Sequence, residues 1–403
     1  MATFTTTTTT KGNGKATVHY VDAESSHSGQ SPPYHEAMSV SVASSSATSS
    51  PQIASNPKPF RIPISPAPHG YQLNKWASDV AISHQIMDHV LNPKVTPPDK
   101  WEDCGIFDDG VQVSWLPRRP EQISFTHMLR GQTYIADCSP EEILHCIHIL
   151  SFRLIWDVRI GAAGIISRFS QFSFLFYFCW RGIGQAYKGR DVTGVQGCRF
   201  LDGEGREQVK YSVDTNQIDI VWRSVELPDV PATEEKVRAR IPTAGYRIER
   251  AGRGCNVTFI GQADLGEVIP GYLLRTLCHE QPRGLGRLRT AIESFGVPPY
   301  ICDQYDCAVI QLQVFYPETR KTTVRAHASR AGTFALVLDV KRMYRNGVLV
   351  TKLAGEGASS LNLQDGEDRL LMSIAPSGVG KEFFIEIEPR DSDPEVDQSS
   401  GWW

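Results

Sequence analysis

The sequence lacks the features that would commit the protein to secretion, to a membrane span or to general nucleic-acid binding. Its 41 Lys and Arg against 45 Asp and Glu give a net charge of -4, whereas a general nucleic-acid binder needs a basic surface to displace counterions. The N-terminus has no apolar signal core. The most apolar run, Ile160 to Trp180, is broken by Arg168, Ser170, Gln171 and Ser173, whereas a spanning helix needs about 20 mostly apolar residues. We therefore expect a cytoplasmic protein that contacts membranes only transiently and peripherally.

Cysteine pairs at metal-ligand spacing are also lacking. The nine cysteines are scattered and include no CxxC motif, which is typical of reduced, packed thiols. His145, Cys146 and His148 resemble a ligand set, but they share a helix whose buried stripe is Ile143, Leu144 and Ile147. We interpret the two histidines as surface or half-buried residues, and we expect no metal site and no cofactor.

Composition divides the chain into four parts. Residues 1–65 are rich in Ser, Thr and Pro and poor in large aliphatics, which predicts a disordered tail. Residues 70–298 carry helices and long strands, which predicts an α+β domain. Residues 303–389 show short strands only, which predicts an all-β, sandwich-like domain. Residues 390–403 form an acidic tail.

The first part of the larger domain combines a helix, short strands and a capped helix. Helical periodicity runs from Asn74 to Leu91. Strands are predicted near Val111–Trp115, Ile123–Leu129 and Thr133–Ala136, with a turn at Gly131-Gln132 between the last two. Ser139-Pro140-Glu141-Glu142 is a capping box with proline at the first helical position, which predicts a helix through Leu150.

From Phe169 the period changes from helical to alternating. One strand face carries Phe172, Phe174, Phe176, Phe178 and Trp180, and such an aromatic face requires a large apolar space opposite it. Further strands are predicted at 209–213, 217–225, 237–241, 245–250 and 255–265. A final helix begins near Pro270 and is interrupted at Pro282 and Gly284, because proline in a helix interior removes a hydrogen bond.

In the C-terminal part, strands are predicted at 309–315, 322–326, 333–340, 348–353, 370–374 and 383–388. Asn346-Gly347 lies between two of them and is a hairpin signal.

The order and spacing of several short motifs resemble the START family, the steroidogenic-acute-regulatory-related lipid-transfer domains. They are Trp156-Asp157, Arg190-Asp191, Ser224-Val225, Val237-Arg238-Ala239, the segment from Val257 through Asp264 to Gly266, and Ile269-Pro270. The resemblance covers roughly residues 74–296. It implies an α+β helix-grip fold, in which a curved antiparallel sheet wraps around a long C-terminal helix and one lipid lies between them.

The same resemblance suggests site residues. We assign Phe174, Phe176, Phe178 and Trp180 to the cavity wall and Leu273, Leu277 and Leu288 to its lid, although these side chains would also suit an ordinary core. Arg238 is the favoured polar contact to the lipid. We assign a structural role, rather than a ligand contact, to the charged residues Arg190, Asp191 and Asp264 and to Trp156 and Asp157. Buried charges require partners, and such pairs fix the ends of strands and helices.

Three functions are compatible with these patterns. The favoured one is binding and transfer of a sterol, phospholipid or sphingolipid, with Arg275, Arg283, Arg287 and Arg289 of the last helix suited to an anionic membrane. The alternatives are an enzyme on the same fold and a lipid-regulated adaptor whose β domain contacts a protein partner. We expect no enzyme, because no base and nucleophile pair stands at a defined spacing, and His279-Glu280 is expected to face solvent.

Overall fold

The computed structural model describes residues 19–20, 70–182, 187–232, 235–268, 270–303 and 306–390. The tail predicted to be disordered lies outside these residues apart from 19–20, as do the acidic tail after residue 390 and Ile269. The helices are α1 (Ala77–Leu91), α2 (Pro140–His148), α3 (Leu150–Trp156), α4 (Gly271–Glu280) and α5 (Gly284–Phe295). The strands are β1 (His19–Tyr20), β2 (Glu102–Ile106), β3 (Gln112–Leu116), β4 (Met128–Ile135), β5 (Ile160–Arg168), β6 (Phe174–Trp180), β7 (Arg190–Asp202), β8 (Glu207–Gln208), β9 (Thr215–Ser224), β10 (Val237–Arg238), β11 (Arg240–Ala251), β12 (Gly254–Asp264), β13 (Tyr300–Cys302), β14 (Ala308–Tyr316), β15 (Lys321–Ala328), β16 (Gly332–Val337), β17 (Val348–Ala354), β18 (Leu361–Asp365), β19 (Arg369–Ile374) and β20 (Glu382–Pro389).

The chain forms two compact units. The larger unit contains the described residues between 70 and 294 together with 309–314, and the smaller contains 295–308 and 315–390 with the short strand β1. The predicted α+β class, with a large antiparallel sheet followed by smaller sheets, is confirmed.

The larger unit is built on one 11-stranded sheet with the order β2-β3-β4-β12-β11-β9-β7-β6-β5, to which β8 and β10 add through β7. Strand β6, whose residues Phe174–Cys179 are all buried, lies between β5 and β7. Helix α1 packs on one face through Met87 and Val90, which contact Val221 of β9 and Ile260 of β12. Because side chains alternate along a strand, Trp222 points to the other face, where it lines a cavity.

The capping box at Ser139 forms as predicted, since its hydroxyl accepts from Glu142 N and the Glu142 carboxylate accepts from Ser139 N. The helix does not run through Leu150, however. Ile149 is extended, with φ -73° and ψ 102°, so α2 ends at His148 and α3 begins a new axis. The new axis carries Arg153 and Trp156 into the space above the sheet.

The turn predicted at Gly131-Gln132 is wrong, because both residues lie inside the continuous strand β4. The glycine serves a close approach instead. A Cβ at Gly131 would stand 2.8 Å from Pro282 Cβ and 2.9 Å from its carbonyl oxygen. Gly131 therefore lets the Pro282 break in the last helix rest on the sheet. That break, predicted from Pro282 and Gly284, separates α4 from α5.

The strand predicted at residues 209–213 is also wrong. Only Glu207–Gln208 pair there, and Val209 and Val213 are 96% and 88% exposed. Their alternation with Tyr211 resembled a strand, but no neighbouring strand covers these valines.

The smaller unit has two sheets, with the orders β13-β16-β19-β18 and β1-β17-β20-β15-β14. Phe334 of the first sheet and Phe383 of the second stack at 5.9 Å. The turn at Asn346-Gly347 is present, with Gly347 at φ 89°, but it does not join a hairpin. Strand β16 pairs with β13 and β19, whereas β17 pairs with β20, so this turn connects the two sheets.

We predict that Gly131→Ala lowers the free energy of unfolding by about 1–3 kcal/mol, because the added methyl forces β4 and Pro282 apart. Chemical denaturation followed by far-UV circular dichroism measures the change. Gly203→Ala is the matched control, since a Cβ added at Gly203 would have no atom within 4 Å. Equal losses in the two variants would contradict the close-approach role.

Candidate functional site

A small cavity lies in the larger unit between the sheet, α3 and α4. Its volume is about 60 Å³. The wall is mixed: the aromatic side chains Trp156, Phe178, Trp180, Trp222, Tyr246 and Phe259 line it together with Arg153, Asp157, Arg159 and Glu280. An aromatic cavity with a few converging charged groups has the composition of a small-molecule site.

Arg153 is the charged group buried deepest in this wall. Helix α3 places it one turn before Asp157, so its Nε and Nη2 both donate to Asp157 Oδ2 at 3.3 Å. Its guanidinium carbon lies 4.4 Å from the Trp222 ring centroid and 5.1 Å from that of Phe178. The residue is only 6% exposed, and Nη1 has no hydrogen-bond partner among the described residues. The cavity thus contains a buried cationic donor whose Nη1 amino group is unused by the described residues.

The aromatic neighbours of Arg153 are themselves fixed. Trp156 is 1% exposed and its indole N–H donates to Cys146 O at 3.2 Å. The Trp222 indole N–H donates to Gln196 Oε1 at 2.6 Å. These bonds hold both rings in place around the guanidinium.

A second ion pair lies closer to solvent. Arg159 Nε is 3.7 Å from Glu280 Oε2, which joins the loop after α3 to the last turn of α4. The sequence-based expectation that His279 and Glu280 face solvent is wrong for both: Glu280 lines the cavity, and His279 stacks on Trp115 with ring centroids 5.2 Å apart.

The cavity reaches only part of the aromatic face of β6. Phe178 and Trp180 line it, whereas Phe174 and Phe176 are fully buried outside it. Phe176 stacks behind Phe178 at 4.3 Å, and Phe174 contacts the His148 ring. Among the lid residues, Leu277 lines the cavity, while Leu273 and Leu288 are buried away from it.

Arg238, the favoured polar contact from the sequence, lies outside the cavity. Its Nε and Nη2 donate to the two carboxylate oxygens of Asp191 at 3.0 and 3.1 Å. Asp191 is fully buried and pairs across the ladder with Cys179, so it occupies the sheet face opposite to Phe178. Tyr177 on that face also donates to Asp191. The buried carboxylate requires a counter-charge, and Arg238 supplies it.

Arg190 links the start of β7 to the segment after β12, and Asp264, at the end of β12, makes a local bond to that segment. Arg190 is 1% exposed, donates to Leu265 O at 3.3 Å and pairs with Glu267 at 3.2 Å. The Asp264 carboxylate accepts from Gly266 N at 3.1 Å. Arg190 therefore holds the start of β7 against the segment that follows β12, directly before α4.

The two histidines of α2 are buried, which corrects the expectation of surface or half-buried positions. His145 and His148 are 3% and 8% exposed. Burial lowers the pKa of His145 to about 3 and that of His148 well below its usual value. Gln196 Nε2 lies 3.1 Å from His148 Nδ1. Within the described ranges, no three His, Cys, Asp or Glu side chains are grouped as metal ligands.

Three of the four arginines of the last helix have internal partners. Arg283 pairs with Asp108 and Asp109, Arg287 donates to Trp156 O at 3.0 Å, and Arg289 donates to Asp109 O at 2.6 Å. Arg275 is exposed. The positive charge available to a membrane on this helix is therefore smaller than the sequence suggested.

Sequence reasoning missed Arg153. It stands three residues before the Trp156-Asp157 motif, at a helical spacing from Asp157 that predicts an ion pair. The sequence held no signal that the pair faces a cavity, since that depends on the break at Ile149.

Comparison with known proteins matches the START domain family to residues 215–291. This confirms the resemblance found in the sequence. Similar solved structures include human STARD10, with 18% identity over 52% of this chain and 77% of that one and a TM-score of 0.42. Human StAR-related lipid transfer protein 5 shares 18% identity over 54% of this chain and 97% of that one, with a TM-score of 0.44. A STAR-related lipid transfer protein from Xanthomonas axonopodis shares 19% identity over 48% of this chain and 98% of that one, with a TM-score of 0.38.

No curated protein matches the chain in sequence. Across the described helices, none is long and apolar enough to cross a membrane.

We predict that Arg238→Met costs about 3–5 kcal/mol of stability, because it leaves the Asp191 carboxylate buried without its counter-charge. Urea unfolding measures the loss. The double variant Arg238→Met with Asp191→Asn should recover most of it, since the uncompensated charge is then gone. A loss under about 1 kcal/mol in the single variant would show that Arg238 is not needed to neutralise Asp191.

Proposed function

Because this chain carries a START domain, matched over residues 215–291, we propose that it binds one lipid between the large sheet and α4 and carries it between membranes. The observation that carries the proposal is the buried Arg153 guanidinium, whose Nη1 has no partner among the described residues. A buried donor left unsatisfied costs about 1–3 kcal/mol. An oxygen of a lipid polar group at Nη1 would offset that cost.

The fixed aromatic rings around Arg153 support binding rather than catalysis. Asp157 is engaged with Arg153 and Glu280 with Arg159, so the carboxylates in the wall serve ion pairs. Moving a lipid chain of about 16 carbons through water costs on the order of 12 kcal/mol, at about 0.8 kcal/mol for each methylene. An enclosed apolar cavity removes that barrier without covalent chemistry.

Lipid loading requires the wall to move. The cavity of about 60 Å³ is below the roughly 150 Å³ that holds one benzene and far below the about 300–1,000 Å³ of ligand pockets in general. We propose that α4 moves, because it contributes Leu277 and Glu280 to the wall, whereas α5 is tied down by Arg287 and Arg289.

We further propose that α4 begins at the membrane-facing end of the unit. Two apolar side chains are exposed there, Val268 at 67% and Tyr272 at 75%, next to the exposed Arg275. A tyrosine with a basic neighbour suits the interface of an anionic membrane, where the ring enters the headgroup layer.

We predict that Arg153→Met lowers lipid affinity about 10- to 100-fold, the worth of a charge-assisted hydrogen bond of roughly 1.5–3 kcal/mol. Native mass spectrometry of the purified protein gives occupancy, and transfer of labelled lipid between vesicles gives activity. Arg240→Met is the control, because Arg240 pairs with Glu226 on the surface and is 65% exposed.

Arg153→Met leaves the Asp157 carboxylate, whose side chain is 20% exposed, without its ion-pair partner, so the unfolding free energy should fall. The double variant Arg153→Met with Asp157→Asn should recover most of that stability, and an affinity loss that persists in the double variant would identify a ligand contact. A wild-type protein that carries no lipid and transfers none would contradict the proposed function itself.

For the membrane-facing end, we predict that Tyr272→Ser weakens binding to vesicles containing anionic lipid several-fold, because the interfacial ring is lost. Co-sedimentation measures it. Val209→Ser is the matched control: Val209 is 96% exposed but follows β8, which pairs with Phe200 and Leu201 at the far end of β7. Equal effects of the two substitutions would refute the assignment of this end.

A further inference from the structure

We propose that the β2–β3 hairpin latches α4 through Trp115, which is sandwiched between His127 and His279, and that protonation of these two histidines releases α4 while α5 stays in place. The consequence for lipid exchange rests on the proposed function. The latch itself does not depend on any lipid.

The latch is a three-ring stack. The Trp115 centroid lies 5.2 Å from each imidazole, with interplanar angles of 19° to His127 and 16° to His279. The indole N–H donates to Glu102 Oε2 at 2.7 Å, which fixes the ring on the hairpin. Phe107, in the turn of the same hairpin, contacts the His279 ring at 5.4 Å. The hairpin therefore holds the last turn of α4 through one imidazole.

The hydrogen bond of His127 requires its neutral form. Arg118 N donates to His127 Nδ1 at 3.0 Å, so this nitrogen must be an acceptor. In an imidazolium both ring nitrogens carry a proton and neither can accept. Protonation thus breaks the bond that positions His127 against the indole.

The charges around His279 also favour the neutral form of its imidazole. Burial lowers the pKa of His279, and the positive charges of Arg275 on α4 and Arg283 after it lower it further. Burial and Arg118 lower the pKa of His127, against an opposing effect of Glu102. Asp108 and Asp109 lie nearby but are engaged with Arg283. An imidazolium is attracted to an indole face, yet the net effect on both histidines is a lowered pKa.

The sign of the pH dependence follows. When closure lowers the pKa of a histidine, that histidine stabilises the closed state to its full extent at pH values above its ordinary pKa of about 6.5. This stabilisation is lost as the pH falls. Closure of α4 should therefore weaken below about pH 6.5.

Helix α5 has no part in this stack. Arg287 donates to Trp156 O and Arg289 to Asp109 O, and a Cβ at Gly286 would stand 2.8 Å from Asp109 Cβ. Pro282, between the helices, rests on Gly131 of the sheet. Movement is therefore expected to stop at Pro282.

Hydrogen exchange of the full chain, followed by mass spectrometry at about pH 7.5 and 5.5 and corrected for the intrinsic rate, tests the latch. We expect protection of 271–280 to fall about tenfold at the lower pH while that of 284–295 holds, since each histidine contributes up to one proton to the opening. His279→Phe keeps an aromatic ring but cannot titrate, so it should remove about half of the response on a logarithmic scale, and the double variant His127→Phe with His279→Phe should remove the rest. His89→Phe, at an exposed position on α1, should leave the response intact.

Two outcomes would overturn the latch: equal loss of protection in α4 and α5, or a full pH response in His279→Phe. Acid effects of the buried His84 and His145, whose pKa values burial lowers to about 4 and about 3, would appear in α1 and α2. A chain that carries no lipid would contradict the proposed function, but its exchange pattern would still decide the latch.

Discussion

The structure depends on how the large sheet distributes buried charge between its two faces. On the face covered by α1, Asp219 is fully buried and is matched by Arg199 and Arg247, and Asp88 of α1 pairs with both arginines. Such a network matches each buried charge with an opposite one, so it connects α1 rigidly to the sheet. Alternation along β9 then directs Trp222 to the other face, where the aromatic side chains and Arg153 collect. The closed network on one face leaves the other face available for a cavity.

Two helices, α4 and α5, cover the cavity side of the sheet, and their contacts with the rest of the unit differ. Helix α5 buries Leu285, Leu288 and Ile292, and its arginines donate to backbone carbonyls of neighbouring elements. Helix α4 buries Leu273, Leu274 and Cys278 and is held at its last turn by one ring stack and a 3.7 Å ion pair. Regions with fewer buried contacts open at lower free energy. The proline break therefore separates a fixed support from a half that can open.

Much of this architecture could be predicted from local patterns. The β6 alternation, the capping box at Ser139 and the break at Pro282 each depend on residues close in sequence, and each is present in the structure. The predictions were wrong where the role of a residue depends on a partner that is distant in sequence. Gly131 resembled a turn but accommodates Pro282, and Asn346-Gly347 resembled a hairpin although its flanking strands belong to different sheets. The domain boundaries and the lipid-contact roles stay predictions.

Arg153 shows why the site was harder to predict than the fold. Its pairing with Asp157 follows from helical spacing, but its burial follows from the extended backbone of Ile149, which turns α3 over the sheet. A fold selected for stability alone would gain by replacing both Arg153 and Asp157 with apolar residues, since the attraction within a buried ion pair often does not exceed the desolvation penalty. Here two tryptophans with satisfied indole N–H groups frame the guanidinium, and one of its donors is unused by the described residues. This arrangement lowers the stability of the protein without a ligand, and a polar group of a bound lipid would offset that loss.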